Sequence, residues 1–335
     1  MGVKLRDLVH PETLHLSDLK GKRIAIDAYN MLYQFLATIR QADGQPFTDP
    51  QGHVTGHLVG LLYRTASMLE RGVLPAYVFD GKPSDLKSST LRARALVKER
   101  AQQAWDDALA AGDLELARKK AAQTSRLTRE MVADAQALLE AMGVPWVQAP
   151  SEGEAQAAFM ARRGDVWAAA SEDYDTLLFG AKRLLRGLGA ARSATRGEDA
   201  PVEYLEVEKV LQALGIAQEE LILVGVLVGT DFNEGVRGIG PKKAMKLVLE
   251  HKGWRETLAL AGADPDALEV VRDLFLRPST TEDYRLRWGG HDEAKLRALL
   301  VEGHGFAEDR VRKVVDRLPK GPPPSGTQTS LEAFG

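Results

Sequence analysis

The 335-residue chain contains no cysteine, which excludes disulfides, thiolate-ligated zinc, iron–sulfur clusters and thiol nucleophiles. Only oxygen and nitrogen groups remain for any chemistry. Long apolar runs are missing too: the longest, residues 221–229, has nine residues, far short of the roughly 20 that cross a bilayer as a helix. The opening Met1-Gly-Val-Lys-Leu-Arg6 lacks the apolar stretch of a signal peptide and has Arg6 where a myristoylation signal requires Ser or Thr. A soluble protein without membrane attachment, cytosolic or nuclear, is expected. An excess of one charge is also lacking, because 44 Lys plus Arg stand against 47 Asp plus Glu for a net −3, so the total marks no nucleic-acid partner. A 44% hydrophobic content at this length is ample for the core of one large α/β domain or two ordinary ones, and disorder is excluded as the main theme.

Short apolar runs of strand length alternate with longer stretches of helical periodicity, which predicts an α/β fold with a largely parallel sheet. Acids follow these runs. Arg23-Ile-Ala-Ile ends at Asp27, and Ala76-Tyr-Val-Phe ends at Asp80. Val144-Pro-Trp-Val-Gln leads to Glu152 and Glu154, and Val166-Trp-Ala-Ala-Ala to Asp173 and Asp175. Residues 219–230 read as a buried helix ending at Asp231. In an open parallel sheet the carboxyl ends of the strands share one edge, so these acids converge however distant in sequence.

Seven gathered carboxylates repel one another unless cations neutralise them. With oxygen donors, no cysteine and every histidine remote in sequence, Mg²⁺ or Mn²⁺ is favoured over zinc. Two such ions about 3.5–4 Å apart would make a phosphoryl-transfer site of the nuclease and polymerase kind. For any single position the alternative is a turn or cap residue. Ser151-Glu-Gly-Glu154 fits a capping box, with Ser151 as N-cap and Glu154 reaching back. If extended, Asp173-Tyr-Asp175 puts both carboxylates on one face.

Positive charge is local. Residues 82–129 hold eleven Lys or Arg against six Asp or Glu, a net +5, in a helix-prone segment with glycine only at 112. An ordinary connection between two strands needs no such insert. Within it Lys87 and Arg94, two helical turns apart, project from one face of a helix starting near Leu86, toward the acidic edge or simply to solvent. Residues 237–255 hold six Lys or Arg against one Glu, again +5. There Gly238-Ile-Gly240-Pro-Lys242-Lys243 combines glycines for close backbone approach, proline at a first helical position, and backbone amides suited to phosphate. Tyr33 reads as a core aromatic. From Pro319 a Pro-rich stretch forms a linker.

The motifs carry a family resemblance. Asp27-Ala with Tyr33-Gln-Phe, and Val78-Phe-Asp-Gly-Lys-Pro83 with Leu86-Lys87, resemble the N-terminal block of the flap endonucleases, structure-specific 5′ nucleases of the XPG-like family. Pro150-Ser-Glu-Gly-Glu-Ala155, Ser171-Glu-Asp-Tyr-Asp-Thr-Leu-Leu-Phe-Gly180 and the run from Gly229-Thr-Asp231 to Lys242-Lys-Ala244 resemble the internal block. The resemblance implies a PIN-like 5′ nuclease fold, a twisted, largely parallel sheet with helices on both faces. It implies two Mg²⁺ ions, or Mn²⁺, held by Asp27, Asp80, Glu152, Glu154, Asp173, Asp175 and Asp231, cutting near the base of a 5′ flap to leave a 5′-phosphate and a 3′-hydroxyl. It further implies that Lys87 and Arg94 face the scissile phosphate, and that Tyr33 stacks on the neighbouring base.

By the same resemblance residues 82–129 form a helical arch around the single-stranded flap. Gly238, Gly240, Lys242 and Lys243 belong to a helix-two-turn-helix near residues 231–255, with a monovalent ion such as K⁺, gripping the downstream duplex. Arg40, Thr55 and Arg64 occupy positions that approach the template strand and the one-nucleotide 3′ flap. Gln328, Leu331 and Phe334, in residues 328–335, resemble a sliding-clamp (PCNA) binding box, with Gly335 where a second aromatic is usual. The implied layout is a monomeric nuclease domain over 1–318, with an N-terminal block at 1–97, an internal block at 130–255, a helical part at 256–318 and a tail at 319–335. The archaeal type is favoured, acting on 5′-flap or double-flap junctions in Okazaki fragment maturation and base excision repair, with 5′-3′ exonuclease activity. The alternatives are a junction, gap or bubble nuclease of the same superfamily, or a non-catalytic clamp-bound DNA scaffold.

Overall fold

A seven-stranded sheet runs through the centre of the computed structural model, which describes residues 2–189, 201–251 and 253–321. The strands are β1 (Glu12–Leu14), β2 (Arg23–Asp27), β3 (Leu74–Phe79), β4 (Trp146–Gln148), β5 (Ala168–Ala170), β6 (Arg183–Arg186) and β7 (Val202–Glu206). Their spatial order is β1-β7-β6-β5-β2-β3-β4. From β6 to β4 all neighbours are parallel, and β7 and β1 extend the sheet antiparallel on one side, so the largely parallel sheet has a mixed edge.

Parallel neighbours need crossovers, and helices supply them. Helices α1 (Ala28–Thr38) and α2 (Gly56–Glu70) link β2 to β3. Next, α3 (Ser88–Ala110), α4 (Leu114–Ala121) and α5 (Arg129–Ala141) link β3 to β4, and α6 (Gly153–Arg163) links β4 to β5. Further on come α7 (Asp175–Leu178), α8 (Val207–Leu214), α9 (Gln218–Val228), α10 (Pro241–His251), α11 (Trp254–Leu260), α12 (Pro265–Leu276), α13 (Glu293–Arg297) and α14 (Glu308–Val315).

Alternation along the strands divides the core. Ile24, Ile26, Tyr77, Phe79, Ala168, Ala170 and Leu185 pack on the face covered by α1, α2, α5, α13 and α14. Their neighbours Ala25, Val78, Ala169 and Leu184 pack on the opposite face, under α6, α7, α9 and α10. Burial on both faces explains why these strands read as continuous apolar runs. The apolar α9 is buried from Leu221 to Leu227, and among the described residues no single helix is long and apolar enough to cross a membrane.

The basic insert folds as a hairpin of α3 and α4 turning at Gly112, closed by a small core of Trp105, Ala108, Ala117 and Ala121. It leans on the loop after α1, where Trp105 Nε1 donates to the Asp43 carbonyl at 3.4 Å and Arg40 donates to Ser125 Oγ at 3.0 Å. Gln328, Leu331 and Phe334 lie outside the described residues.

Candidate active site

The carboxyl ends of β2, β3, β4 and β5 open on one cleft of about 890 Å³. Asp27, the last residue of β2, caps α1 by accepting the Asn30 N–H at 2.9 Å. Asp80, directly after β3, accepts the Gly153 N–H at the start of α6 at 2.7 Å, a favourable place for a negative charge. A Cβ on Gly153 would lie 2.7 Å from Asp80 Oδ1, so glycine permits this approach. The capping box expected at Ser151 does not form: Glu152 occupies the N-cap position, and Glu154 turns inward to Ser171 Oγ at 2.7 Å. The carboxylate there gains a hydroxyl donor, while the Gly153 N–H at the helix start is taken by Asp80. The same hydroxyl lies 3.4 Å from Asp27 Oδ2.

Asp173 and Asp175 do not lie on an extended segment. Asp173 sits in a bend after β5 and Asp175 begins α7, yet both meet the chain's N-terminal residues. Gly2 N–H donates to Asp173 Oδ1 at 2.9 Å and Val3 N–H to Asp175 Oδ1 at 2.6 Å. Asp231, just past α9, is buried and faces the hairpin. There Arg94 donates to both its oxygens at 2.7 and 2.6 Å, and Thr90 Oγ1 donates to its carbonyl at 2.9 Å. Lys87, the cap residue of a helix that begins at Ser88, bonds Glu152 closely and stands 3.7 Å from Asp231.

Burial is the largest influence on the titration of Asp27, Asp80, Glu154 and Asp175. Burial pushes Asp27 up to about 8, with Asp80 adding to it and the Asn30 N–H opposing. Burial takes Asp80 to about 6 against the Gly153 N–H, and Asp175 to about 7 against the Val3 N–H. Glu154 rises well above the carboxylate range through burial and through Asp173, Asp175 and Asp27. Burial alone would lower Lys87, but Glu152, Asp80 and Glu154 outweigh it and hold the ammonium charged.

Among the described residues no group of three or more Asp, Glu or His side chains is already arranged to ligate an ion. Lys87 and Arg94 occupy the flank of the acidic edge instead. The donor set nevertheless suits a hard divalent cation, being all oxygen, buried at Asp27, Glu152, Asp175 and Asp231, half-buried at Asp80, Glu154 and Asp173, and mutually repelling, with Glu152 Oε1 buried and without a hydrogen-bond partner.

The remaining anticipated residues divide sharply. Tyr33 lines the cleft, half-buried, with Lys98 Nζ 4.8 Å from its ring centroid. Gly238, Gly240, Lys242 and Lys243 are exposed around the start of α10, while Ile239 between them anchors in the core. Arg40, Thr55 and Arg64 are engaged internally. Arg40 bonds the carbonyls of Leu36 and Gly44, each at 2.9 Å, the buried Thr55 bonds the Phe47 carbonyl, and the buried Arg64 bonds that of Leu188. Sequence reasoning missed Lys98 and Arg126 as cationic cleft lining, although both fall in the basic insert. It also missed Ser171 and the Gly2 and Val3 amides, for which no local pattern exists.

Comparison with known proteins identifies the family. The XPG N-terminal domain matches residues 1–103 and the XPG I-region residues 143–231. The chain is 49% identical to Flap endonuclease 1 of Hyperthermus butylicus, over 96% of this chain and 95% of that one. It is 46% identical to Flap endonuclease 1 of Methanothermobacter thermautotrophicus, over 99% of each. Among solved structures, flap endonuclease-1 from Methanococcus jannaschii superposes with a TM-score of 0.74 at 39% identity, covering 95% of this chain and 98% of that one. The catalytic core of Rad2, solved in complex with DNA substrate, shares the fold at 24% identity and a TM-score of 0.70, covering 92% and 96%. A cleft of strand-end carboxylates faced by Lys87 and Arg94, in a chain matched nearly end to end by archaeal relatives, places this protein in the flap endonuclease family.

Proposed function

We propose that this protein is a structure-specific 5′-flap endonuclease, a DNA hydrolase of replication and repair, with Mg²⁺-dependent 5′-3′ exonuclease activity alongside. The observation that carries the reading is the buried acidic edge opposite Lys87 and Arg94 in one cleft. Asp27, Asp80, Glu152, Glu154, Asp173, Asp175 and Asp231 would hold two Mg²⁺ ions, with Mn²⁺ as substitute. When bound, the ions supply the Lewis acidity that lowers the pKa of the attacking water and offsets charge on the leaving oxygen.

The chain's own groups do the rest. Water adds across the P–O3′ bond, leaving a 5′-phosphate on the duplex and a 3′-hydroxyl on the released flap. Lys87 and Arg94, on the hairpin wall, present fixed positive charge to a phosphate entering from that side and stabilise the charge it develops. Their carboxylate partners keep them oriented beforehand. Tyr33 offers a face on which the adjacent base stacks. The exposed Gly238, Gly240, Lys242 and Lys243 would bind duplex phosphates without reading bases, and a K⁺ ion held at this element would add positive charge toward the same phosphates. Arg40, Thr55 and Arg64 would stand where the template strand and the one-nucleotide 3′ flap approach, Arg40 and Thr55 bracing the loop after α1 and Arg64 held by the Leu188 carbonyl. The tail would bind a sliding clamp, and the protein would act in the cytoplasm of an archaeal cell as a monomer.

Incubating the protein with labelled 5′-flap, four-way-junction and blunt duplex DNA, in Mg²⁺ or EDTA, tests the reading. Preferential Mg²⁺-dependent cutting at the flap base is expected. Preference for the four-way junction would move the protein to another branch of the superfamily, and binding without cutting would make it a scaffold. Deleting residues 328–335 should abolish stimulation by the clamp while leaving basal cleavage intact.

A further inference from the structure

The bend that carries Asp173 and Asp175 is held from more than one direction, and the Asn30 side chain on α1 adds longer contacts, donating to Asp173 Oδ2 and accepting the Glu172 N–H, each at 3.4 Å. Gly2 and Val3 hold the carboxylates themselves. On the other side stands Arg186, the last residue of β6, which touches neither carboxylate and does not line the cleft. Its Nε donates to the Glu172 carbonyl at 3.0 Å, and its NH1 donates to the Tyr174 hydroxyl at 2.6 Å. The guanidinium also lies 4.0 Å from the centroid of the Tyr174 ring. It pairs closely with Glu203, its cross-strand neighbour on β7. The Arg186 side chain is 13% exposed, so water competes little for these contacts.

We propose that Arg186 is a positioning residue for the nuclease reaction, gripping Glu172 and Tyr174 so that the two residues alternating with them, Asp173 and Asp175, keep their places against Asp27 and Glu154. The assignment rests on the functional reading above. Residues 171–174 belong to no helix or strand, and the last backbone bond to β6, from the Ser171 N–H to the Leu185 carbonyl at 3.2 Å, stops short of Glu172, Asp173 and Tyr174. β5 before it has only three residues. A second tie, from the Gly187 N–H to Glu172 Oε1 at 2.8 Å, comes from the residue next to Arg186. β6 thus reaches across to the neighbouring strand end and holds it at alternate positions.

The geometry asks for arginine rather than any cation. A planar fork can meet a carbonyl and a hydroxyl in two directions while its face stacks on a ring, and an ammonium cannot do all three. Groups behind metal-site carboxylates typically affect metal affinity or activity by 10–100-fold. Arg186 should therefore act on ion binding and on the chemical step, and leave the grip on DNA alone.

The experiment uses the full chain with Arg186→Lys and Tyr174→Phe. Four quantities are read: Mn²⁺ binding without DNA, by the free-Mn²⁺ EPR signal; the single-turnover cleavage rate of a 5′ flap; its KM; and Tm. Arg186→Lys should weaken Mn²⁺ binding and slow single-turnover cleavage about 10–100-fold, with KM unchanged and Tm close to the parent. Tyr174→Phe, which keeps the ring and loses only the hydroxyl, should show a smaller loss in the same two quantities. Variants that match the parent in Mn²⁺ binding and rate overturn the assignment, as does a Tm loss with Mn²⁺ binding per folded molecule preserved. A parent that neither binds Mn²⁺ nor cuts flaps overturns the functional reading and this assignment with it.

Discussion

Residues 82–129 and residues 237–255 carry the same net charge of +5, yet the fold uses them in opposite ways. In the first, the key cations are turned inward: Lys87 pairs with Glu152, Arg94 with Asp231, and Lys98 lies over Tyr33. In the second, Lys242 and Lys243 face solvent beside two exposed glycines. Positive charge held against buried carboxylates is placed for chemistry on an anion that enters between them. Positive charge standing clear of the protein is placed for long-range attraction and backbone contact, which are salt-sensitive and sequence-blind. Net charge alone does not separate the two segments, and the partners of each cation do.

Substitutions can break this contrast, and the largest effect belongs to the inward-facing set. Lys87→Ala should lower the single-turnover cleavage rate by roughly 10²–10³-fold while flap affinity changes little, as when a charge-stabilising donor is lost. Comparable losses of rate and affinity would mean that Lys87 only helps to hold DNA. The double variant Lys242→Ala with Lys243→Ala should do the reverse. Affinity falls and the slope of log K against log salt shrinks by about one per lysine, while the rate at saturating enzyme stays at the parent value. Gly240→Ala sharpens the point further. Its added Cβ meets no atom within 4 Å and its φ lies outside the left-handed region, so folding should be unharmed, or stabilised by about 0.4–1 kcal/mol. Duplex affinity should nonetheless drop if the DNA backbone approaches there, and unchanged affinity would show that it does not.

A third charged region gives the smallest effect and acts as a control, because its charges pair with one another. The buried Asp49 lies 3.0 Å from His53 Nδ1 and 3.1 Å from His304 Nδ1, and His304 Nε2 lies 3.4 Å from Asp134. Burial raises the Asp49 pKa, but the His53 N–H and the two imidazoles outweigh it and hold the carboxyl at about 2, below its ordinary 3.8. A depressed carboxyl stabilises the fold above its unfolded pKa and loses that contribution as pH falls through the folded value. Asp49→Asn should thus lower Tm at neutral pH, the difference closing between about pH 4 and pH 2, with cleavage per folded molecule unchanged. A Tm difference independent of pH would point to lost packing instead.

The strand ends were legible because a strand buried on both faces is a short apolar run, and the residue after it is the first one free to be polar. Asp27, Asp80 and Asp173 could be read that way, and Asp231 from the end of α9, an apolar helical stretch too short for a membrane. The Ser151 capping box misled because it used only local spacing, whereas Glu154 finds Ser171, just past the end of another strand, and Gly153 gives its N–H to Asp80. Arg40, Thr55 and Arg64 could not be placed in advance for a similar reason. A lone Arg or Thr in a polar loop or on a helix looks the same whether it faces solvent or an internal carbonyl.

The sequence by itself determined the fold class, the all-oxygen donor chemistry of the acidic edge and the two local surpluses of positive charge. These depend on side-chain periodicity and composition, which act within a few residues. Only the tertiary structure decided which charges meet. Gly2 holds Asp173 across 171 positions, Arg94 reaches Asp231 across 137, and Lys87 reaches Glu152 across 65. Arg186 likewise grips its bend from the neighbouring strand. Such pairings arise from how the chain returns to the same sheet edge. Their strength comes from shared burial, where an unpartnered charge is costly and every partner must be supplied by the fold.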